Sequence, residues 1–108
     1  ILVKGADGKN IFIAECKFWA GAKNLQNTID QLLSYLSWRD INAAILLFNR
    51  NKDFSKVLSQ IPNAILSHPN YKRKFEQRRE TEFRFILRNN EDKNKEIFTT
   101  LLAFDVPL

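Results

Sequence analysis

The chain has 108 residues with a formal net charge of +5, and 44% of them are hydrophobic, a composition that excludes disorder and fits one domain with a single core. The single Cys16 excludes an intramolecular disulfide, and no apolar run approaches the roughly 20 residues of a membrane span. These features favour a cytoplasmic protein without a signal peptide, and the basic excess is compatible with a polyanionic partner.

The first predicted element is a β-hairpin over residues 1–19. Asp7-Gly8 is a typical two-residue turn, and with this turn at the centre the numbers of paired residues sum to 15. The partner of Glu15 would then precede Ile1. Because the chain opens at Ile1 in mid-strand and without Met, we expect it to be a piece of a longer protein with further domains.

The second strand of this hairpin places two charges inside an apolar run. Residues 11–19 read IFIAECKFW, of which seven are apolar, as in a strand that is buried on both faces. Side chains alternate along a strand, so Glu15 and Lys17 point to one face and Cys16, expected as an inert core thiol, points to the other. Because an isolated buried charge is costly, the pair indicates a site for a metal and a water nucleophile, a structural ion pair, or a strand that ends near residue 14.

Helical spacing predicts an α-helix over residues 24–37, with Asn24 as its N-cap. Gln31 and Tyr35 are four residues apart and therefore share one stripe of this helix. A continuous apolar run over residues 43–48 then predicts a buried strand over residues 43–49. A strand, a helix and a strand of these lengths form a right-handed unit with parallel strands.

The second half of the chain is predicted to hold a helical region over residues 53–67 and a C-terminal hairpin over residues 81–105. Asp53 caps the helical region, and Pro62 either interrupts it or starts a new short helix. The polar turn 89–95 joins the two strands of the hairpin. The predicted fold class is therefore α/β, with a mixed β-sheet flanked by helices.

A basic cluster lies between these two regions. It could follow a phosphate backbone, or it could be a solvated face of a helix or loop. Its members are Lys72, Arg73, Lys74, Arg78 and Arg79. His68, in the preceding loop, has no Cys or carboxylate at metal-ligand spacing, so we expect it at the surface.

The tripeptide ECK at residues 15–17, followed by a helix with Q-x-x-x-Y spacing at residues 31–35, resembles the motifs of the PD-(D/E)XK nuclease superfamily. The resemblance is closest to the RecB-like branch and to restriction-endonuclease-like domains, and it covers residues 1–50. A triplet of this kind occurs by chance in most proteins, so the resemblance depends on its context of hairpin, buried strand and helix. It implies a restriction-endonuclease-like fold, of which this chain is a fragment without the N-terminal part of the core, and a metal-dependent endonuclease that hydrolyses DNA phosphodiester bonds.

The resemblance also implies a role for each motif residue. Glu15 would bind Mg²⁺ or Mn²⁺ through its carboxylate, and the backbone carbonyl of Cys16 would supply a second oxygen. Lys17 would contact the attacking water or the scissile phosphate. Gln31 and Tyr35 would position Lys17 or a DNA phosphate. Enzymes of this kind that cut both strands often pair, which makes a homodimer one expectation.

One motif residue is missing from the chain. The family places an aspartate on the first hairpin strand, opposite the glutamate, and the predicted register puts that position before Ile1. Asp7 at the turn, Asp30 beside the helix stripe and Asp40 in a loop do not replace it. The alternative function is a non-catalytic module of nuclease-like fold that binds nucleic acid or a partner protein. A third alternative is an unrelated α/β domain with a structural ion pair.

Overall fold

A computed structural model describes residues 2–4, 11–37 and 41–106 of the chain. Within these residues, neither helix combines the length and the apolar composition that a membrane crossing requires. This described part of the chain forms six strands and two helices in the order β1 (Leu2–Lys4), β2 (Ile11–Phe18), α1 (Ala22–Tyr35), β3 (Asn42–Asn49), α2 (Phe54–Leu66), β4 (Tyr71–Arg79), β5 (Glu82–Arg88) and β6 (Glu96–Asp105).

All six strands belong to one mixed sheet, in the order β1-β2-β3-β6-β5-β4. The central strands β2, β3 and β6 are parallel to one another. β1, β5 and β4 extend the sheet through antiparallel pairs. The predicted α/β class and the mixed sheet are therefore confirmed, as is the parallel pairing of the two strands that flank the first helix.

The pairing of β1 with β2 follows the predicted register. The numbers of paired residues sum to 15, as for Leu2 with Ile13. The turn predicted at Asp7-Gly8 lies outside the described residues. Continued by two positions, this register places the partner of Glu15 before the first residue of the chain.

Both helices pack on the same face of the sheet. Alternate residues of β3, β5 and β6 point to this face and join the helices in one core. The core includes Leu25, Ile29, Leu32, Ile45, Ile61, Ile65, Phe83, Phe85, Ile97 and Leu101. No helix of the described residues covers the other face, which we call the open face.

α1 begins at Ala22, two residues before the predicted N-cap Asn24. Gly21 takes the N-cap position with a φ of 98°, a conformation that a residue without a Cβ adopts most easily. Asn24 lies in the first turn instead, where its carbonyl accepts a hydrogen bond from the Thr28 hydroxyl at 2.9 Å. The helix ends at Tyr35, two residues earlier than predicted.

α2 runs without interruption through Pro62, so the predicted break at this residue is wrong. Proline removes one helical hydrogen bond, but core residues on both sides of Pro62 hold the two halves in line. These residues are Val57, Ile61, Ala64 and Ile65. The predicted N-cap is confirmed, because Asp53 Oδ1 accepts a hydrogen bond from the backbone N–H of Lys56 at 3.1 Å.

The basic cluster lies on β4, a strand that the sequence did not predict. β4 is the edge strand next to β5, and register shifts interrupt their pairing. Lys74, at these irregularities, has a φ of 60°. The shifts disturb the alternation of polar and apolar residues on which strand prediction depends. The expectation of a helix or loop face is therefore corrected to a charged edge strand, which resists pairing with further strands.

Candidate functional site

Glu15 and Lys17 lie near the end of β2, on the face of the sheet that the helices cover. Their register partners on β3 are Ile45 and Leu47, which are buried in the core. The side chains of Glu15 and Lys17 are 16% and 39% exposed. The two charged groups thus stand at the border between the core and solvent.

The charged groups of Glu15 and Lys17 are only loosely paired. Lys17 Nζ lies 3.9 Å from Glu15 Oε1, which is longer than a close charge-assisted hydrogen bond. No other ion pair of the described residues involves either side chain. Both groups therefore keep hydrogen-bonding capacity that a ligand could use.

The backbone carbonyl of Cys16 points to the outer side of β2. The Trp19 N–H donates to the Phe48 carbonyl of β3 at 2.8 Å, so odd-numbered residues of β2 direct their peptide groups to β3 and even-numbered residues direct theirs to the β1 side. The Cys16 carbonyl therefore lies at this edge, past the last described pair of Leu2 with Ile13.

The Cys16 thiol points to the open face, away from Glu15 and Lys17. This orientation agrees with the strand alternation, but the thiol is only partly buried. It lines a surface cavity with Phe18, Phe48 and other residues at the carboxyl end of the parallel strands. The expectation of a core thiol is therefore corrected, because the helices cover the other face.

Tyr35 lies on the flank of α1 that faces away from α2, and Gln31 lies next to it toward solvent. Gln26 donates a hydrogen bond to an α2 carbonyl at 3.1 Å, and Asp30 bonds His68 just after α2. Residues on a helix follow one another at about 100°, which puts Tyr35 on the opposite flank and Gln31 on the exposed side of the helix, away from its buried residues. Because α2 contacts β4 at the far edge of the sheet, this opposite flank is the β2 side of α1.

α1 follows β2 after a short loop and contacts it. With a rise of about 1.5 Å per helical residue against about 3.3 Å per strand residue, Gln31 is expected at about the height of Glu15 along the sheet. Tyr35 lies further along α1 and is 55% exposed. No hydrogen bond of the described residues joins Gln31 or Tyr35 to Glu15 or Lys17. The described structure therefore brings Tyr35 to the β2 side of α1 but does not join it, or Gln31, to the charged pair by a polar contact.

Two hard oxygen donors lie at this edge of the sheet, the Glu15 carboxylate and the Cys16 carbonyl. Mg²⁺ keeps several waters and is commonly held by one or two carboxylates together with substrate phosphates. The donors therefore suit Mg²⁺ or Mn²⁺ in type, although they are few. Among the described residues, no group of three or more His, Cys, Asp and Glu side chains is arranged to hold a metal ion.

Part of the basic cluster is neutralised within the sheet. Lys72 Nζ and Arg73 Nε lie 3.2 Å and 2.9 Å from Glu96 Oε2. The Arg73 guanidinium, assisted by the Lys72 ammonium, lowers the pKa of Glu96 to about 2. Lys72 and Arg73 therefore bridge β4 to β6 across β5.

The rest of the cluster is more exposed. Arg78 Nε lies 4.0 Å from Glu76 Oε1, and both side chains extend into solvent. Lys74 and Arg79 take part in no ion pair of the described residues. The five residues of the cluster thus lie on one strand but do not form one continuous basic surface.

His68 is buried, so the expectation of a surface residue is wrong. Its Nδ1 accepts a hydrogen bond from the Asn70 N–H at 3.0 Å, and its Nε2 lies 2.7 Å from Asp30 Oδ1. Because Nδ1 is an acceptor, Nε2 carries the hydrogen and donates to Asp30. The ring therefore fastens the end of α2 to α1. Nothing in the local sequence indicates this, since Asp30 precedes His68 by 38 residues.

The sequence analysis also missed a group of aromatic side chains on the open face. The Phe48 ring lies between those of Phe18 and Phe104, with centroid distances of 5.8 Å and 5.4 Å. The Arg50 guanidinium lies 3.6 Å from the centre of the Phe18 ring. A phenylalanine at the carboxyl end of each parallel strand was the signal in the sequence that could have predicted this group.

Comparisons of the chain with models of known protein families, with curated proteins and with solved structures found no match. The resemblance to PD-(D/E)XK nucleases therefore rests on the motif residues and on the elements that carry them.

Proposed function

We propose that this chain is part of a metal-dependent nuclease of the PD-(D/E)XK type, which hydrolyses DNA phosphodiester bonds. The proposal includes a restriction-endonuclease-like arrangement of the sheet and an aspartate that precedes Ile1 in the parent protein. The observation that supports it most is the loose pair of Glu15 and Lys17, 3.9 Å apart on one face of β2 at the border of the core.

Each residue of the site has a distinct role in this proposal. The Glu15 carboxylate and the Cys16 carbonyl would hold Mg²⁺ or Mn²⁺ at the edge of β2. A metal held there would supply neutralisation of phosphate charge and would favour hydroxide as the nucleophile. The Lys17 ammonium donates hydrogen bonds to a phosphate oxygen or to the attacking water, and so stabilises the negative charge of the transition state. Gln31 and Tyr35 donate hydrogen bonds to the DNA backbone from α1.

The geometry of the charged pair favours this role over a structural ion pair. A structural ion pair offsets the cost of desolvating its charges only through close, well-aligned contact, whereas the Lys17 ammonium lies 3.9 Å from the carboxylate and the Lys17 side chain is 39% exposed. An exposed ammonium next to a less exposed carboxylate suits a ligand that approaches from solvent. The third alternative predicts instead that the Glu15→Gln Lys17→Met double variant is at least as stable as the wild type.

A second candidate function is a non-catalytic module of the same fold that binds nucleic acid or a partner protein. The small number of carboxylates near Glu15 favours it, since the described residues offer no set of three metal-ligating side chains. This candidate predicts DNA binding without hydrolysis under every metal condition, even when the residues before Ile1 are present.

Plasmid cleavage tests the proposal. The chain, extended by the residues that precede Ile1 in its parent protein, is expected to relax or linearise a plasmid with Mg²⁺ and to stop when EDTA removes the metal. Glu15→Ala and Lys17→Ala are each expected to lower the rate by about 10²-fold or more, the size of effect seen when one group that stabilises transition-state charge is removed.

The chain provides a matched control for these variants. Glu91 and Lys93 have the same spacing as Glu15 and Lys17, but they are exposed in the turn that joins β5 and β6. Glu91→Ala and Lys93→Ala are expected to leave the cleavage rate unchanged. Cleavage by Glu15→Ala and Lys17→Ala at the wild-type rate, with the fold intact by circular dichroism, would refute the assigned roles.

A further inference from the structure

The open face of the sheet presents aromatic rings to solvent. Phe18, Phe98 and Phe104 are 46%, 50% and 42% exposed. The aliphatic side chains of Leu46 and Leu102, on the same face, are partly buried. The exposed apolar surface of the open face is therefore mainly aromatic.

These rings form two platforms at opposite ends of the parallel strands. The first consists of Phe18, Phe48 and Phe104, whose rings contact one another. The second is Phe98, which lines a cavity of about 360 Å³ and has no ring partner among the described residues. Phe98 and Phe104 are six residues apart on β6, or about 20 Å at the rise of a strand. This distance spans several nucleotides.

Cations lie beside both platforms. The Arg50 guanidinium lies 3.6 Å from the centre of the Phe18 ring. Lys74, Glu76 and Arg84 line the cavity of Phe98. The charge of Glu76 is partly offset by Arg78 at 4.0 Å, and that of Arg84 by Glu82 at 3.0 Å. No ion pair of the described residues involves Arg50 or Lys74, so each platform has one cation that is available to an anionic partner.

We propose that the open face binds single-stranded DNA, with bases stacked on Phe98 and Phe104 and phosphates close to Lys74 and Arg50. Every base has a π-face, so exposed rings bind single strands with little dependence on sequence, and cations between the rings follow the backbone. Sheets that present aromatic side chains on neighbouring strands bind single strands in this way.

Two other occupants fit the face less well. Duplex DNA keeps its base faces stacked inside the helix, where the rings cannot reach them. A protein helix that covers a sheet buries a continuous apolar surface, whereas the polar residues Arg84 and Thr100 pair with each other on the open face beside Phe98. The choice of DNA rests on the proposed function, whereas stacking does not, because Glu15 and Lys17 point to the other face of the sheet.

Fluorescence anisotropy tests this proposal. The purified chain is titrated, at low salt and in EDTA, into labelled oligothymidylate of about 15 nucleotides, near the upper end of the site sizes of single-strand-binding folds. Oligouridylate and duplex DNA of the same length are titrated in parallel. We expect the chain to bind oligothymidylate more tightly than either of the other two probes.

Substitution of the rings separates stacking from general apolar contact. Phe98→Leu and Phe104→Leu keep an apolar side chain but remove the flat ring, and each is expected to weaken binding by about 5- to 150-fold. Leu66→Ala, at an exposed apolar residue of α2, is the matched control and is expected to bind like the wild type. Arg50→Gln and Lys74→Gln are each expected to reduce the slope of log affinity against log salt by about 0.7.

Three results would overturn the proposal: no binding of oligothymidylate by the wild type, a preference for duplex or oligouridylate, or unchanged affinity in both leucine variants. The two proposals can fail separately, because oligothymidylate binding is measured in EDTA, whereas cleavage requires the metal and the extended chain. A plasmid that stays intact with Mg²⁺ therefore leaves the binding result unaffected. Conversely, failure of oligothymidylate binding leaves plasmid cleavage as an independent result.

Discussion

The two faces of the central strands differ in what covers them, although both are apolar. Leu101 and Leu102 are neighbours on β6, but Leu101 is fully buried beneath the helices and Leu102 is partly exposed on the open face. On β2 the two faces also carry different side chains. Glu15 and Lys17 lie on the covered face, and the more exposed Phe18 ring lies on the open face. The contrast teaches that an apolar residue in a parallel strand does not reveal the face on which a helix will pack.

The largest expected effect separates the two faces by one residue. Leu101→Ala is expected to lower the free energy of unfolding by about 2–5 kcal/mol, because it leaves a cavity in the core. Leu102→Ala is expected to lower it by only about 1 kcal/mol, since less apolar surface returns to water. Urea unfolding of the two variants and the wild type measures both values.

Equal losses in Leu101→Ala and Leu102→Ala would contradict this difference between the faces. They would mean that the open face is covered in solution as fully as the helical face. The ratio of the two losses therefore reports directly on how much of the open face is free to bind a ligand.

A smaller effect is expected from the polar contact on the covered face. His68→Ala is expected to cost about 1–3 kcal/mol, because it removes a buried ring and leaves the Asn70 N–H without its acceptor. Asp30→Asn is the matched variant, since an asparagine oxygen can still accept the hydrogen of His68 Nε2 and the Asp30 side chain is 65% exposed. It is expected to cost less than about 1 kcal/mol.

Thermal or urea unfolding distinguishes these two outcomes. If His68→Ala were as stable as the wild type, the ring would not hold the end of α2 to α1. A loss in Asp30→Asn as large as that in His68→Ala would instead assign the stabilisation to the charge of the carboxylate.

The first half of the fold followed from local signals in the sequence. The position of the predicted hairpin turn set which residues of β1 and β2 pair. Strict alternation along the strand put Glu15 and Lys17 on one face of β2. The apolar runs also fixed the parallel pairing with β3. These predictions succeeded because each depends on residues that are close in the chain and on a fixed backbone period.

The parts that were not predicted depend on contacts between distant residues. His68 is buried and bonded to Asp30 of α1, which is distant in the chain, and Pro62 is tolerated because the core holds both halves of α2. β4 was missed because its register shifts against β5 break the alternation of its side chains. At the candidate site, β2 could be predicted from its period, but the position of Gln31 relative to Glu15 required the packing of α1 on the sheet.

The smallest expected effect concerns a charge network at the far edge of the sheet. Arg73, with Lys72, lowers the pKa of Glu96 to about 2 from its ordinary value of 4.5. A carboxylate whose pKa is lowered on folding stabilises the protein fully above its unfolded pKa, and this stabilisation is lost as the pH falls from about 4.5 to about 2. Glu96→Gln is therefore expected to be less stable than the wild type near neutral pH, and the difference is expected to shrink across this window.

Urea unfolding of the wild type and Glu96→Gln at several pH values measures this difference. Glu91→Gln, at an exposed glutamate without an ion pair among the described residues, is the control and is expected to match the wild type throughout. If the difference in stability between wild type and Glu96→Gln stayed constant down to about pH 2, the packing of the Glu96 side chain rather than its charge would join β4 to β6. A difference that vanishes there would identify this edge as one held by charge, in contrast to the covered face, which apolar packing and His68 hold together.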